Sequence, residues 1–213
     1  MCTFPPTLFP GKTPALLNPP AQSGGGFSNK WLADAGAVDV LQGYTPDTGR
    51  SWIDIVLAGT ATDPVVVTNI RVEVTSRQPQ VATGVVVYQP CGGPMQSRYV
   101  LYDLDTAVPK PIASNSDPTK DFSVMSLPRS TTPLTLPYSV TRVDKLDLLL
   151  GVESHKYTKW VAWIDWTNGS RSGSLKIDLD GRPFAVAPSP SGSQLVFGSG
   201  HPWYDGKTGK PLP

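Results

Sequence analysis

An all-β fold, an antiparallel β-sandwich of broadly immunoglobulin-like architecture, is predicted by three observations. The first is 20 glycines and 23 prolines in a chain of 213 residues. Soluble domains usually carry roughly 7% glycine and 5% proline. Proline lacks an N–H and clashes with the preceding helical turn, so a helical bundle and a doubly wound α/β fold are both excluded. The second is a recurrence of short β-branched and aromatic runs between Gly, Pro, Asn and Asp from Trp31 to Ala187. The third is Asn168-Gly169 standing between two such runs, where both residues tolerate the positive φ of hairpin turns. A hydrophobic share of 39% with six tryptophans is enough for a core.

Three segments follow from composition. Residues 1–30 hold six prolines, four glycines and two charges, Lys12 and Lys30, and read as an extended tether that adds little to stability. Residues 31–188 read as the β-sandwich domain. Within it, strands are expected at Trp52–Ala58, Val65–Thr75, Thr83–Gln89 and Arg98–Leu104. In the second of these, Ile70, Val72 and Val74 alternate with Arg71 and Glu73, which puts one face in a core and one in water. Weaker runs lie at Asp121–Met125 and Leu146–Glu153. A hairpin is expected from Lys159–Trp166 and Ser172–Leu179, then a short strand at Pro183–Ala187. Period two places Trp160 and Trp166 together in the core and Trp163 on the other face. Residues 189–213 open on a Pro/Ser/Gly run and read as a flexible tail carrying Trp203 and Tyr204.

Charge and motifs exclude more chemistry than they support. Eighteen Lys and Arg against 17 Asp and Glu leave a net charge of +1, the wrong balance for a general nucleic-acid binder. Gly11-Lys12-Thr13 and Gly206-Lys207-Thr208 lack the glycine five residues upstream that a phosphate loop needs. Gly-x-Ser-x-Gly is absent, and any Ser-His-Asp set must use His155 or His201, the only histidines. Asp103/Asp105 and Asp178/Asp180 are paired carboxylates at strand ends, but the calcium-loop pattern breaks at Arg182. Turn formation is their expected role. No metal site and no cofactor are expected.

The cysteines are Cys2 and Cys91. A disulfide between them, a lipid on Cys2 and plain thiols all remain open. Residues 1–30 contain no sustained apolar segment of the signal-peptide kind, and no run approaches the ~20 apolar residues of a membrane helix. Asn168-Gly169-Ser170 matches the glycosylation sequon but is first a turn.

Cys91-Gly92-Gly93-Pro94, Arg98-Tyr99 and Asp103-Leu104-Asp105 recur in a group of uncharacterised actinobacterial proteins. So do Trp160 to Trp166 and Ile177-Asp178 to Gly181-Arg182-Pro183-Phe184. Over residues 31–188 the chain resembles that family, whose members often carry this β-domain outside the membrane behind an N-terminal membrane helix. The resemblance implies a cell-envelope or secreted location, with membrane contact only through such an anchor; a cytoplasmic location is the alternative. Relatives often carry a second cysteine just before the position of Trp160, where this chain has Tyr157-Thr158-Lys159, so an internal partner for Cys91 is missing. No reaction comes with the family. The expected role is a non-catalytic binding or sensing module for a protein or glycan, with Trp163, Trp203 and Tyr204 as ligand-contacting aromatics. A lectin-like module is the alternative, and a hydrolase pairing His155 with a strand-end Asp is the distant one.

Overall fold

The computed structural model describes residues 3–4, 7–12, 31, 34–39, 48–59, 63–79, 83–88, 96–112, 130–188, 194–197 and 204–205. The strands among them are β1 (Thr3–Phe4), β2 (Thr7–Pro10), β3 (Val38–Asp39), β4 (Gly49–Leu57), β5 (Val65–Gln78), β6 (Gly84–Tyr88), β7 (Gln96–Asp103) and β8 (Lys110–Pro111). They continue with β9 (Ser130–Pro133), β10 (Tyr138–Val140), β11 (Leu146–Ser154), β12 (Tyr157–Asn168), β13 (Arg171–Ile177), β14 (Phe184–Val186), β15 (Gln194–Phe197) and β16 (Tyr204–Asp205). One sheet runs β1-β4-β11-β7-β8, with β9 also on β7. The other runs β10-β5-β12-β14-β3-β2-β6-β15-β16, with β13 also on β12. No helix among the described residues is long and apolar enough to cross a membrane.

The two sheets face each other across one core. Ile53 and Ile55 of β4 and Leu148, Leu150 and Val152 of β11 meet Val67, Ile70 and Val72 of β5 and Trp160, Ala162 and Ile164 of β12. Each fully buried aliphatic side chain contributes about 1.5–3 kcal/mol. Trp160 is fully buried and packs on Phe184 with ring centroids 4.9 Å apart. The alternation read in the sequence is thus the inward face of β5 and β12. Leu146–Glu153 reads weakly because β11 is covered on both sides. Leu149 turns away from the main core into a second cluster with Trp52, Tyr99 and Leu101. A strand buried on two faces loses its polar alternation. Gly151 stands opposite Trp52 in that ladder, where a Cβ would collide with the indole.

Three expectations change. The sheets are mixed, not purely antiparallel: β11/β7, β7/β9, β14/β3 and β15/β6 are parallel. The long connection from β7 to β11 supplies the crossover that parallel neighbours need, and hydrophobic period does not distinguish the two pairings. The hairpin forms as expected, but its two loop residues are Gly169 and Ser170, with Asn168 paired to Arg171. Gly169 takes φ +53° at the first loop position, where type II′ turns place glycine. Trp166 shares the inward parity of Trp160, yet it is only half-buried, because it lies near the hairpin end and leans over Gly173.

The third change is at the N-terminus. Residues 3–4 and 7–10 do not act as a tether. Main chain of β1 pairs with β4 in one sheet, and β2 pairs with β3 and β6 in the other. Leu8 and Phe9 are fully buried, and Phe9 packs on Trp31 at 5.3 Å between centroids. The segment spans both sheets. In the tail, β15 extends the second sheet beside β6 and β16 pairs with β15. The expected strand at Asp121–Met125 lies outside the described residues. Phe9→Ala is expected to lower stability by about 3–5 kcal/mol, the usual range for a buried Phe; urea unfolding checks it, and a loss below about 1 kcal/mol would restore the tether reading.

Candidate functional site

The strand β5 is paired along most of its length on one side only. On that side β12 runs beside it from Val66 to Gln78. On the other, β10 covers Val65–Val67, and beyond Val67 no strand pairs with it among the described residues. A groove of about 750 Å³ follows this open edge. Its inner wall is apolar, with Val100, Leu134 and Leu136, and its outer rim carries Arg71, Glu73 and Trp163. Tyr102 reaches from β7 into the edge and donates its hydroxyl to the Ile70 carbonyl at 2.6 Å. Burial pushes this phenol up to about 12, so it stays a donor. Ile70 therefore directs its carbonyl away from β12. By the alternation of an antiparallel ladder, Val72 directs both main-chain groups to the same open side.

The outer rim is a cross-strand ladder. Trp163 stands opposite Arg71 in the β5/β12 register, with the guanidinium 5.9 Å from the ring centroid. The indole N–H donates to Glu73 Oε2 at 3.2 Å. Arg71 donates through Nε and Nη2 to the two oxygens of Asp165, each at 2.8 Å. Asn69 and Ser174 donate to the same carboxylate. The Arg71 guanidinium first, and Ser174 second, hold Asp165 well below the usual carboxylate range, and Asp165 in turn raises Arg71. The rim is consequently charged, and its side chains are held in place by internal hydrogen bonds.

A second cluster sits elsewhere. Asp105 Oδ2 lies 2.6 Å from His155 Nδ1, and His155 Nε2 lies 3.1 Å from Thr48 Oγ1. A carboxylate only accepts, so Nδ1 carries the proton and Thr48 donates to Nε2 of the neutral ring. The hydroxyl of Ser154 and the His155 N–H also donate to Asp105. Histidine within reach of a carboxylate and a hydroxyl is the outline of a nucleophilic triad. Here Thr48 is only 8% exposed, and none of the three lines the β5 groove. The carboxylate instead holds the β11–β12 turn to the loop after β7, while Thr48 adds the start of β4. Four other acidic groups are occupied. Glu153 pairs with buried Arg50 at 2.7 Å, Glu73 with Trp163, Asp103 accepts the Asp105 N–H, and Asp178 accepts the Gly181 N–H. Asp103 and Asp178 thus act as turn residues, the role expected of strand-end aspartates. No group of three His, Cys, Asp or Glu side chains is placed to hold a metal among the described residues.

Of the aromatics singled out in the sequence, Trp163 reaches the groove. Tyr204 lies in β16 with its main chain opposite Phe197, and Trp203, Cys2, Cys91 and His201 lie outside the described residues. The residues that sequence reasoning missed are Tyr102, Leu134 and Leu136. Tyr102 lies within the expected strand Arg98–Leu104, whose period does not say what its hydroxyl reaches, and the two leucines sit in a Pro-rich stretch without period.

The Asp105–His155 contact gives a pH signature. The Asp105 hydrogen bond raises His155, against a smaller opposing effect of desolvation. Burial pushes Asp105 up, but the hydrogen bonds from the His155 ring, the His155 N–H and Ser154 together outweigh it and leave it lowered. A raised histidine stabilises fully below its unfolded value of about 6.5 and loses this as pH rises through the folded value. A lowered aspartate stabilises above about 3.9 and loses this as pH falls through its folded value. The Tm difference between wild type and His155→Ala is therefore expected to be largest near pH 5 and to shrink by pH 8. A difference that is flat with pH, or grows toward pH 8, contradicts the clasp. No family model, no curated protein and no solved structure matches this chain, so function is argued from this geometry.

Proposed function

We propose that this chain is a non-catalytic binding module whose docking element is the open edge of β5 and whose ligand is a polypeptide in extended conformation. One observation carries the reading: an unpaired strand edge lies inside a groove that is apolar on one wall and charged on the other. A strand added beside β5 would gain main-chain hydrogen bonds at Val72. Its side chains would alternate between the Val100, Leu134 and Leu136 wall and the Arg71, Glu73 and Trp163 rim. The immunoglobulin-like description of the sandwich belongs to the same proposal, supported by two facing sheets and a core tryptophan. So does an extracytoplasmic location, which rests on the family resemblance alone.

A glycan ligand is less favoured. Arg71 stands over one face of the Trp163 ring and Glu73 takes its N–H, so that face and the indole donor are already engaged. A hydrolytic role is less favoured because the Thr48 hydroxyl is shielded and both glutamates are tied into ion-pair or hydrogen-bond contacts.

Ala107 is exposed on the groove wall, which makes it a site to plug without touching the core. Linear peptides selected from a phage-displayed library on the folded protein are expected to bind Ala107→Trp about tenfold more weakly or worse. A tenfold loss is the size of one lost anchor, about 1.4 kcal/mol. Unchanged Tm confirms that the variant is folded. Selected peptides that bind wild type and Ala107→Trp equally would overturn the reading.

A further inference from the structure

The geometry points to a second copy of this chain as the polypeptide that pairs with the open edge, antiparallel to it about a two-fold axis through Val72. This rests on the docking reading above and names its partner. The argument begins with the signs of the rim charges. Arg71 and Glu73 flank Val72 on the outer face, one cationic and one anionic. With Val72 opposite Val72 of the second copy, Arg71 meets the second copy's Glu73 and Glu73 meets its Arg71. A two-fold contact is self-complementary in this way, and opposite charges directly across a ladder are favourable.

The neighbouring registers fail. An axis through Arg71 sets Arg71 against itself, and an axis through Glu73 sets Glu73 against itself; like charges directly opposite are destabilising. A shift that pairs Arg71 with Val72 turns the outer face of one strand toward the inner face of the other, which the pleat forbids.

The main chain agrees. Val72 directs both of its main-chain groups to the open side, so two Val72 residues can exchange both hydrogen bonds. Arg71 and Glu73 then form the adjoining pairs that are not hydrogen-bonded, where facing side chains come closest. Both side chains keep an atom for the purpose. Arg71 spends Nε and Nη2 on Asp165, and Glu73 spends Oε2 on the Trp163 indole. Arg71 Nη1 and Glu73 Oε1 make no hydrogen bond to the described residues, while the rest of each group is already held in place. Ile70 would face the second copy's Val74; its carbonyl already accepts from Tyr102 and has a second lone pair. The free stretch from Asn69 to Thr75, seven residues beyond the reach of β10, spans about 23 Å of strand.

Sedimentation velocity of the full chain across a concentration series tests this. Wild type is expected to form a concentration-dependent dimer. Arg71→Glu and Glu73→Arg, each alone, are expected to dimerise about tenfold more weakly or worse, since each edge then offers two like charges. An equimolar mixture of the two should restore the dimer, because an edge with two carboxylates then faces an edge with two guanidinium groups. A readout that needs no variant is deuterium exchange at the Val72 and Val74 amides of wild type, which should slow as concentration rises. A wild-type chain that stays monomeric while selected peptides still fill the groove overturns the second copy and leaves the docking reading standing. A dimer indifferent to both charge reversals, with unchanged exchange at Val72, also overturns it. A chain that neither self-associates nor binds peptides in the groove overturns both readings together.

Discussion

The twelve-residue strand β12 is the element on which the remaining structure depends. Its ladder joins β5 along one side and β13 and β14 end to end along the other. Its inward residues Trp160, Ala162 and Ile164 supply the second sheet's centre of the core, and its outward residues Trp163 and Asp165 anchor the rim network. Core and candidate site are thus two faces of the same strand, one residue out of phase. The bulges in β5 opposite β12, at Lys159/Trp160 and Asp165/Trp166, raise the local twist at both ends of the aligned stretch. Between them lies the regular segment with Ile70, Arg71, Val72 and Glu73, where the open edge and its charges are found.

Much of this was legible because period two survives wherever one face is wet. Ile70, Val72, Trp160 and Ile164 declared the core, and Asn168-Gly169 declared the hairpin. Legibility failed for three physical reasons. Where a strand is buried on both faces, as at Leu148, Leu149 and Leu150, alternation disappears and the run looks ambiguous. Where a strand is very short or contains proline, as at Thr7–Pro10, Lys110–Pro111 and Ser130–Pro133, composition argues for loop. Such strands sit there because an edge or a two-to-four-residue bridge tolerates proline. Where side chains converge from far apart in sequence, as Tyr102 with Ile70 or Asp105 with His155, no local pattern announces the contact. The rim charges were visible as the polar face of β5; that they border an unpaired edge was not, since pairing partners are a tertiary fact.

The two polar clusters illustrate why proximity alone does not assign chemistry. Asp105, His155 and Thr48 have the spacing of a relay, and His155 is 61% exposed, yet the hydroxyl at the end of the chain is shielded. Asp105 also spends its lone pairs on a turn. A general base must reach a reacting group as well as its own orienting carboxylate. The rim cluster has the opposite character: its strongest bonds are internal, but one donor nitrogen and one carboxylate oxygen are left outward. Ordered charges with an unspent atom are what the proposed docking reading rests on.

An unpaired edge strand is a hazard, because any extended chain can add to it. This one is guarded at both ends. β10 covers Val65–Val67, and Arg77 is pinned across the far end by the Leu104 and Thr106 carbonyls. Pro109 in the neighbouring loop and Pro111 in β8 cannot donate to a ladder. What remains open is a short window whose outward residues are one cation and one anion around Val72. A random apolar strand entering that window would have to cover both charges, and a strand slipped by two residues would set one of them against its like. For the proposed second copy, the same pair that deters indiscriminate pairing favours the register centred on Val72 over its neighbours. On the proposed docking reading, specificity at this edge would come from the exclusion of wrong partners as much as from the attraction of the right one.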